Sequence, residues 1–246
     1  MLNSKKKVKL RLPNKIIPIP NADKAFHEHW YNGRNMLNFP APWRSVFLGP
    51  PNSGKGVAVK NLLLRADPPF EKVEIIHCDP NYTQEWEDIG AEMLDEIPAP
   101  QYWDGEVKTL VILDDLDYNS MNKIQMKNLS RLYGYCSTHK NISVALLQQD
   151  AFSVPAIVRR CSNLFVLWRS PDLDAMATCA RKTGMKSNNF NAIFNQFKIN
   201  GHNSLWIDMT TKSPYPLRLN GFTLIHKKDC KKTKKELAKS DIFETD

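Results

Sequence analysis

The sequence has no apolar run approaching the roughly 18 residues that a membrane-spanning helix needs, so we expect no membrane partner. The first seven residues carry positive charge, but no apolar stretch follows them, which argues against a secretory signal. The 5 cysteines are odd in number and scattered, without a C-x-x-C pair. This spacing argues against a disulfide framework and against a cysteine zinc site, and it is typical of a reducing compartment.

The chain has the composition of a globular protein and an excess of positive charge. Its 246 residues, 42% hydrophobic and 24% charged, suit one α/β domain with short appendages. The net charge is +8, and much of it lies at the two ends of the chain. The basic residues of these ends are Lys5, Lys6, Lys7, Lys9, Arg11 and Lys15, then Lys227, Lys228, Lys231, Lys232, Lys234, Lys235 and Lys239. Basic arms often hold a phosphate backbone, which favours contact with nucleic acid; the alternative is solvated tails that aid solubility.

Apolar runs alternate with helical patterns after residue 44, which predicts a parallel sheet with crossover helices. The predicted strands are residues 44–48, 72–79, 107–113, 141–147 and 164–168. The predicted helices are 57–64, one capped by Asn119 and reaching about residue 137, 154–160, 172–185 and 189–197, before a hairpin of 204–209 and 216–222. Prolines in residues 1–43 forbid long helices and leave room only for a short one at 23–36.

The first strand and helix flank a phosphate-binding loop. Its residues are Gly49, Pro50, Pro51, Asn52, Ser53, Gly54, Lys55 and Gly56. They fit G-x-x-x-x-G-K-[ST] at every fixed position except the last, where Gly56 replaces a hydroxyl residue. A strand, a glycine turn and a helix N-terminus direct backbone N–H groups at one anion, and Lys55 adds a charge for the β- and γ-phosphates. The loop therefore predicts nucleotide binding, and Gly56 leaves open how Mg²⁺ is held.

Two carboxylates follow the apolar run 110–113. Asp114 and Asp115 stand at the carboxyl end of a strand, the edge of an open α/β sheet where ligands bind. We expect Asp114 to hold Mg²⁺ and Asp115 to orient or deprotonate the attacking water. The alternative is turn and helix-capping chemistry.

Gln149 and the arginines are weaker candidates. Gln148 and Gln149 close the strand 141–147, where an amide would lie near the γ-phosphate, although two polar residues also simply end strands. Arginines that a neighbouring subunit could supply are Arg131, Arg159, Arg160 and Arg169. Arg159 and Arg160 are preferred because they lie in a short helix near the sheet edge, and such a guanidinium can stabilise the transition state.

Four segments in order carry a family resemblance: residues 49–56, 111–115, 139–149 and 155–163. Together they resemble the genome-packaging ATPases of double-stranded DNA viruses in the FtsK/HerA superfamily, in particular the poxvirus-type enzymes, including those of virophages. The resemblance implies a RecA-like three-layer α/β sandwich with a mostly parallel sheet. On this basis Lys55 is the phosphate lysine, Asp114 the metal carboxylate, Asp115 the catalytic carboxylate and Gln149 the sensor amide. This chain departs from the family at Gly56, at Asp115, where many relatives have Glu, and at Thr138, which stands in place of Arg.

The resemblance covers roughly residues 44–170. Composition and motifs together predict three regions: a basic, Pro-rich arm (1–43), a P-loop ATPase domain (44–225) and a lysine-rich tail (226–246). The resemblance further implies ATP and Mg²⁺ as cofactors, and double-stranded DNA, a capsid or portal-like viral component and a homo-oligomeric ring as partners. The expected place of action is the host cell, at the site of virus assembly or in the virion. Two alternatives stay open: a nucleotide-dependent DNA-binding scaffold or switch with little turnover, and a relative of phage-export or conjugation enzymes.

Overall fold

The computed structural model describes residues 39–79, 85–210 and 216–225. The helix predicted at 23–36 and most of the basic arm and tail lie outside these residues. Within the described part, no helix is both long and apolar enough to cross a bilayer.

The described residues form one sheet of 9 strands, in the order β3-β2-β4-β5-β1-β6-β7-β8-β9. The strands are β1 (Arg44–Leu48), β2 (Lys72–His77), β3 (Glu92–Leu94), β4 (Thr109–Asp114), β5 (Ile142–Gln148), β6 (Leu164–Leu167), β7 (Leu205–Asp208), β8 (Leu217–Leu219) and β9 (Thr223–Leu224). Strands β1 to β6 pair in parallel, and β6 to β9 pair antiparallel. The predicted mostly parallel sheet and its terminal hairpin are confirmed.

Most of the strands that were predicted are largely buried and mainly apolar. Helices cover both faces of four of them, β1, β4, β5 and β6. Their sequences are therefore nearly continuous hydrophobic segments. Strand β3 was not predicted, because Glu92–Leu94 is short and partly exposed and forms only by pairing with β2.

Helices cover both faces of the sheet. They are α1 (Lys55–Leu64), α2 (Lys123–Arg131), α3 (Ser137–His139), α4 (Ala156–Cys161), α5 (Leu173–Lys182) and α6 (Ser187–Gln196). A π-helical turn, Leu132–Cys136, joins α2 to α3, so the predicted single helix is interrupted.

Asn122, not Asn119, caps helix α2, which corrects the sequence prediction. The Asn122 Oδ1 atom accepts hydrogen bonds from the N–H groups of Ile124 and Gln125, each at 2.9 Å. The Asn119 N–H instead donates to Asp117 Oδ1 at 3.0 Å. Asn119 is therefore part of the preceding turn, and the helix starts later than predicted.

Alternate residues of each central strand enter two separate cores. From β1, Val46 and Leu48 pack on the side of α2, α5 and α6, whereas Phe47 packs against α1. The second core also contains Phe39 and Trp43, which precede the predicted domain boundary at residue 44. The result is three layers, helix on sheet on helix, with the carboxyl ends of the parallel strands at one edge.

Candidate functional site

The loop between β1 and α1 turns sharply at residues in the left-handed backbone region. Asn52 has φ 59° and Gly54 has φ 98°. Gly54 is also the residue that precedes helix α1, and no side chain caps that helix. The N–H groups of the first helical turn are thus available to an anion, and the helix dipole favours negative charge there.

The Lys55 ammonium is drawn back over this loop. Its side chain is 9% exposed, and Nζ donates to the carbonyl oxygens of Gly49 at 2.9 Å and Pro50 at 3.2 Å. Burial lowers the pKa of Lys55, and the charges of Asp115 and Asp114 oppose that shift. The loop therefore places one cation beside two carboxylates at the carboxyl edge of the sheet.

Asp114 is the last residue of β4 and is only 6% exposed. Its Oδ2 atom accepts a hydrogen bond from Trp86 Nε1 at 3.1 Å. Burial raises the pKa of Asp114 to about 6, with the Trp86 hydrogen bond acting in the opposite direction. A buried carboxylate gains the most from a cation, which suits the predicted role as a metal ligand.

Asp115 and Gln149 meet across neighbouring strands. The Asp115 N–H donates to Leu147 O at 3.1 Å, and Asp115 has φ 47°, which turns its side chain away from the strand direction. The Gln149 amide Nε2 then donates to Asp115 Oδ2 at 2.7 Å. The structure thus places the predicted sensor amide in contact with the predicted catalytic carboxylate.

These side chains line one cleft of about 940 Å³. The loop, Lys55, Asp114, Asp115 and Gln149 share it, so residues far apart in sequence come together at the edge where ligands of open α/β sheets bind. The volume is of the size that small-molecule sites have.

Arg160 lies elsewhere. It lines a separate pocket with Arg44 and Thr138, at the amino ends of the strands. The Asn163 N–H donates to the carbonyl of Arg44, the first residue of β1, whereas the phosphate loop follows the last residue of that strand. A five-residue strand separates the two edges, roughly 16 Å at about 3.3 Å per residue. Arg160 cannot serve the cleft of its own chain, and only a neighbouring copy could use it.

Two of the other arginines already bind polar groups of their own chain. The Arg159 guanidinium donates to Val154 O, and that of Arg169 donates to Asn195 Oδ1.

The opposite wall of the cleft was missed by sequence reasoning. Its residues are Trp168, His202, Ser204, Trp206, Asn220 and Phe222. The His202 Nδ1 atom lies 3.4 Å from Ser53 O, and Trp168 Nε1 donates to His202 O at 3.1 Å. Only the order β1-β6-β7-β8 brings this hairpin beside the phosphate loop, and no local pattern signals that proximity.

Glu85 was also missed, and it lies at the one irregular position of the loop. A Cβ atom added to Gly56 would lie 2.2 Å from Glu85 Oε1 and 3.6 Å from Trp86 Cη2. The Glu85 carboxylate thus fills the space that a serine or threonine side chain would enter.

The cleft suits a nucleotide with Mg²⁺. The loop N–H groups and Lys55 match the charge of phosphates, and Asp114, with Glu85 nearby, offers the carboxylate oxygens that Mg²⁺ prefers. The Ser53 hydroxyl is buried and has no hydrogen-bond partner among the described residues, so the loop holds an unused polar group.

Fold and site together define the class: this is an α/β protein of the RecA-like P-loop type. Three solved structures of similar fold are viral. The genome packaging NTPase B204 of Sulfolobus turreted icosahedral virus 2, in complex with sulfate, has a TM-score of 0.52 and 13% identity, covering 79% of this chain and 98% of that one. B204 bound to AMPPCP has a TM-score of 0.51 and 12% identity, covering 76% of this chain and 97% of that one. The DNA-packaging ATPase B204 of Sulfolobus turreted icosahedral virus has a TM-score of 0.51 and 14% identity, covering 74% of this chain and 97% of that one.

At these identities the likeness establishes the fold, and the predicted RecA-like architecture is confirmed. No protein-family model matches the sequence, and no curated protein matches it.

Proposed function

We propose that this protein is an ATP-hydrolysing DNA translocase that packages double-stranded DNA into a capsid, acting as a homo-oligomeric ring. The observation that carries the proposal is the cleft in which the phosphate loop, Lys55, Asp114 and the hydrogen-bonded pair Asp115–Gln149 meet. The packaging role is proposed from the sequence resemblance and from the activity named for the viral proteins that share this fold. The basic ends of the chain supply a means of holding a phosphate backbone.

In the proposed reaction the loop N–H groups and Lys55 hold the triphosphate, and Asp115 accepts a proton from the attacking water. The water oxygen bonds to the γ-phosphorus, the bond from that phosphorus to the β,γ-bridging oxygen breaks, and ADP and phosphate leave. Gln149 holds the Asp115 carboxylate in position through its amide. Bound Mg²⁺, held by Asp114, supplies charge neutralisation of the phosphates.

The test is ATP hydrolysis with and without double-stranded DNA, for the wild type, Lys55→Ala and Asp115→Asn. We expect DNA to stimulate turnover and both variants to abolish that stimulation. Lys127→Ala is the matched control, because Lys127 is exposed on α2 and does not line the cleft. Tight nucleotide binding without turnover at any DNA concentration would exclude the motor and favour the nucleotide-dependent switch.

A second measurement addresses the DNA partner. Binding to double-stranded DNA should weaken steeply as salt rises, because each neutralised phosphate releases counterions. Affinity that is insensitive to salt would contradict a role for the basic ends.

A further inference from the structure

The backbone at Glu85 is held from two sides, while its side chain is exposed. The Lys60 ammonium of helix α1 donates to the Glu85 carbonyl and forms an ion pair of 2.7 Å with Asp88. The next residue, Trp86, is 1% exposed and donates to Asp114 Oδ2. The backbone that carries Glu85 is therefore attached both to the helix of the phosphate loop and to the strand that ends in the metal carboxylate.

The carboxylate of Glu85 stands where a loop hydroxyl belongs. The 2.2 Å between Glu85 Oε1 and an added Gly56 Cβ is far below any real contact, and Glu85 Cδ would be 3.3 Å away. A side chain at residue 56 would therefore displace the end of the exposed Glu85 side chain from its present position. A hydroxyl there and the present carboxylate would each place an oxygen in the same part of the cleft, next to Lys55.

The effect of Glu85 on nucleotide binding depends on the other charges around the cleft. Glu85 adds a third negative charge to those of Asp114 and Asp115, and all three act on Lys55. Without a divalent cation, a third carboxylate repels a triphosphate. With Mg²⁺ the same oxygen becomes a ligand, since Mg²⁺ prefers carboxylates and retained waters to neutral groups.

We infer that Glu85 supplies the oxygen that holds Mg²⁺, directly or through a bound water, in place of the hydroxyl missing at Gly56. The inference rests on the proposed nucleotide site and adds a ligand that the loop motif does not contain. On this inference, the absence of a side chain at Gly56 leaves room for a carboxylate from another segment, which replaces the missing hydroxyl.

The test compares the affinity for a non-hydrolysable ATP analogue in excess Mg²⁺ and in EDTA, by calorimetry. In Glu85→Gln we expect the gain in affinity that Mg²⁺ brings to fall by about 10- to 100-fold. Affinity in EDTA should stay equal or increase, because a repelling charge is removed. Glu87→Gln, which changes a neighbouring exposed carboxylate outside the cleft, should keep the full gain. Thermal unfolding of each variant confirms that it folds.

A rescue variant makes the test specific to residue 56. The double variant Gly56→Ser with Glu85→Ala restores a hydroxyl in the vacated space, and we expect it to recover most of the gain that Glu85→Ala alone loses. An unchanged Mg²⁺ gain in Glu85→Gln, with binding that still depends on Lys55, would overturn this inference alone. Binding that does not depend on Lys55 would overturn the proposed function and this inference with it.

Discussion

Replacing Gln149 by alanine removes the amide that donates to Asp115 Oδ2 across 2.7 Å. A hydrogen bond to a charged acceptor contributes about 1.5–3 kcal/mol. Gln149 is exposed and Asp115 is half-buried, and competition with water reduces the effect to about 1 kcal/mol. At about 1.4 kcal/mol for each tenfold change, we expect Gln149→Ala to lower kcat by about fivefold. Affinity for a non-hydrolysable ATP analogue should not change, because the lost contact is with a carboxylate of the protein.

The assay is a double-variant cycle in steady-state ATP hydrolysis with saturating DNA. Asp115→Asn alone should lower kcat by about 10²- to 10⁴-fold, the range for loss of a general base. Added to that variant, Gln149→Ala should change kcat by less than about twofold, since its partner carboxylate is already absent. The adjacent Gln148 is the matched control: its Nε2 atom donates to Ser153 Oγ at 2.9 Å, and it does not line the cleft.

A full fivefold loss in the Asp115→Asn background would contradict a role of Gln149 through Asp115, because Gln149 would then act on the substrate independently. Equal losses in kcat and in nucleotide affinity would contradict that role as well.

Three further predictions concern other parts of the chain. Glu74 is fully buried, between Trp103 Nε1 at 2.8 Å and Lys72 Nζ at 2.7 Å. Lys72→Met leaves this buried carboxylate without its cation, so it should lower the free energy of unfolding, measured in urea, by about 3–5 kcal/mol. Adding Glu74→Gln to that variant should restore much of the loss. Arg160→Ala should leave nucleotide affinity unchanged but lower turnover of the assembled protein by about 10³-fold or more. When this variant is mixed with Lys55→Ala, activity should return in part, because one subunit then supplies the intact phosphate loop and its neighbour supplies Arg160. Burial lowers the pKa of Lys182 to about 8, so its ionised form opposes folding below that pH. The stability of the wild type relative to Lys182→Met should therefore rise between about pH 8 and pH 10. A difference in urea midpoints that does not change with pH would contradict this.

The central strands could be predicted because burial on both faces leaves a local signature. Strand β1 was predicted with its observed bounds, and the other parallel strands of the core to within a few residues, because each is an apolar run between polar or glycine-containing turns. The cap of α2 was predicted wrongly because Asn119 and Asn122 are chemically equivalent candidates. The Asp117 side chain decides between them, since it binds the Asn119 N–H within the turn.

The cleft could be predicted only in part. Lys55, Asp114 and Asp115 follow from motifs, whereas the contact of Gln149 with Asp115 follows from adjacent strands. Glu85 and the hairpin wall were missed because their proximity to the loop depends on long-range pairing and on the anchoring of Trp86. The glycine at position 56 was the one irregular position of the loop motif, and it left open how Mg²⁺ is held.

The placement of Arg160 and the phosphate loop at opposite edges of one sheet constrains any assembly that joins them. A two-fold dimer joins them only if a single surface contains both edges, so that Arg160 of each subunit meets the phosphate loop of the other. A heterologous, head-to-tail contact, the kind that builds the proposed ring, uses two different surfaces, and it leaves one donor and one acceptor edge free until the series closes. If Arg160 acts in trans through such contacts, complete sites therefore arise one per interface, and an open chain always has one site fewer than it has subunits. Closure into a ring is then the step that gives every subunit a complete site.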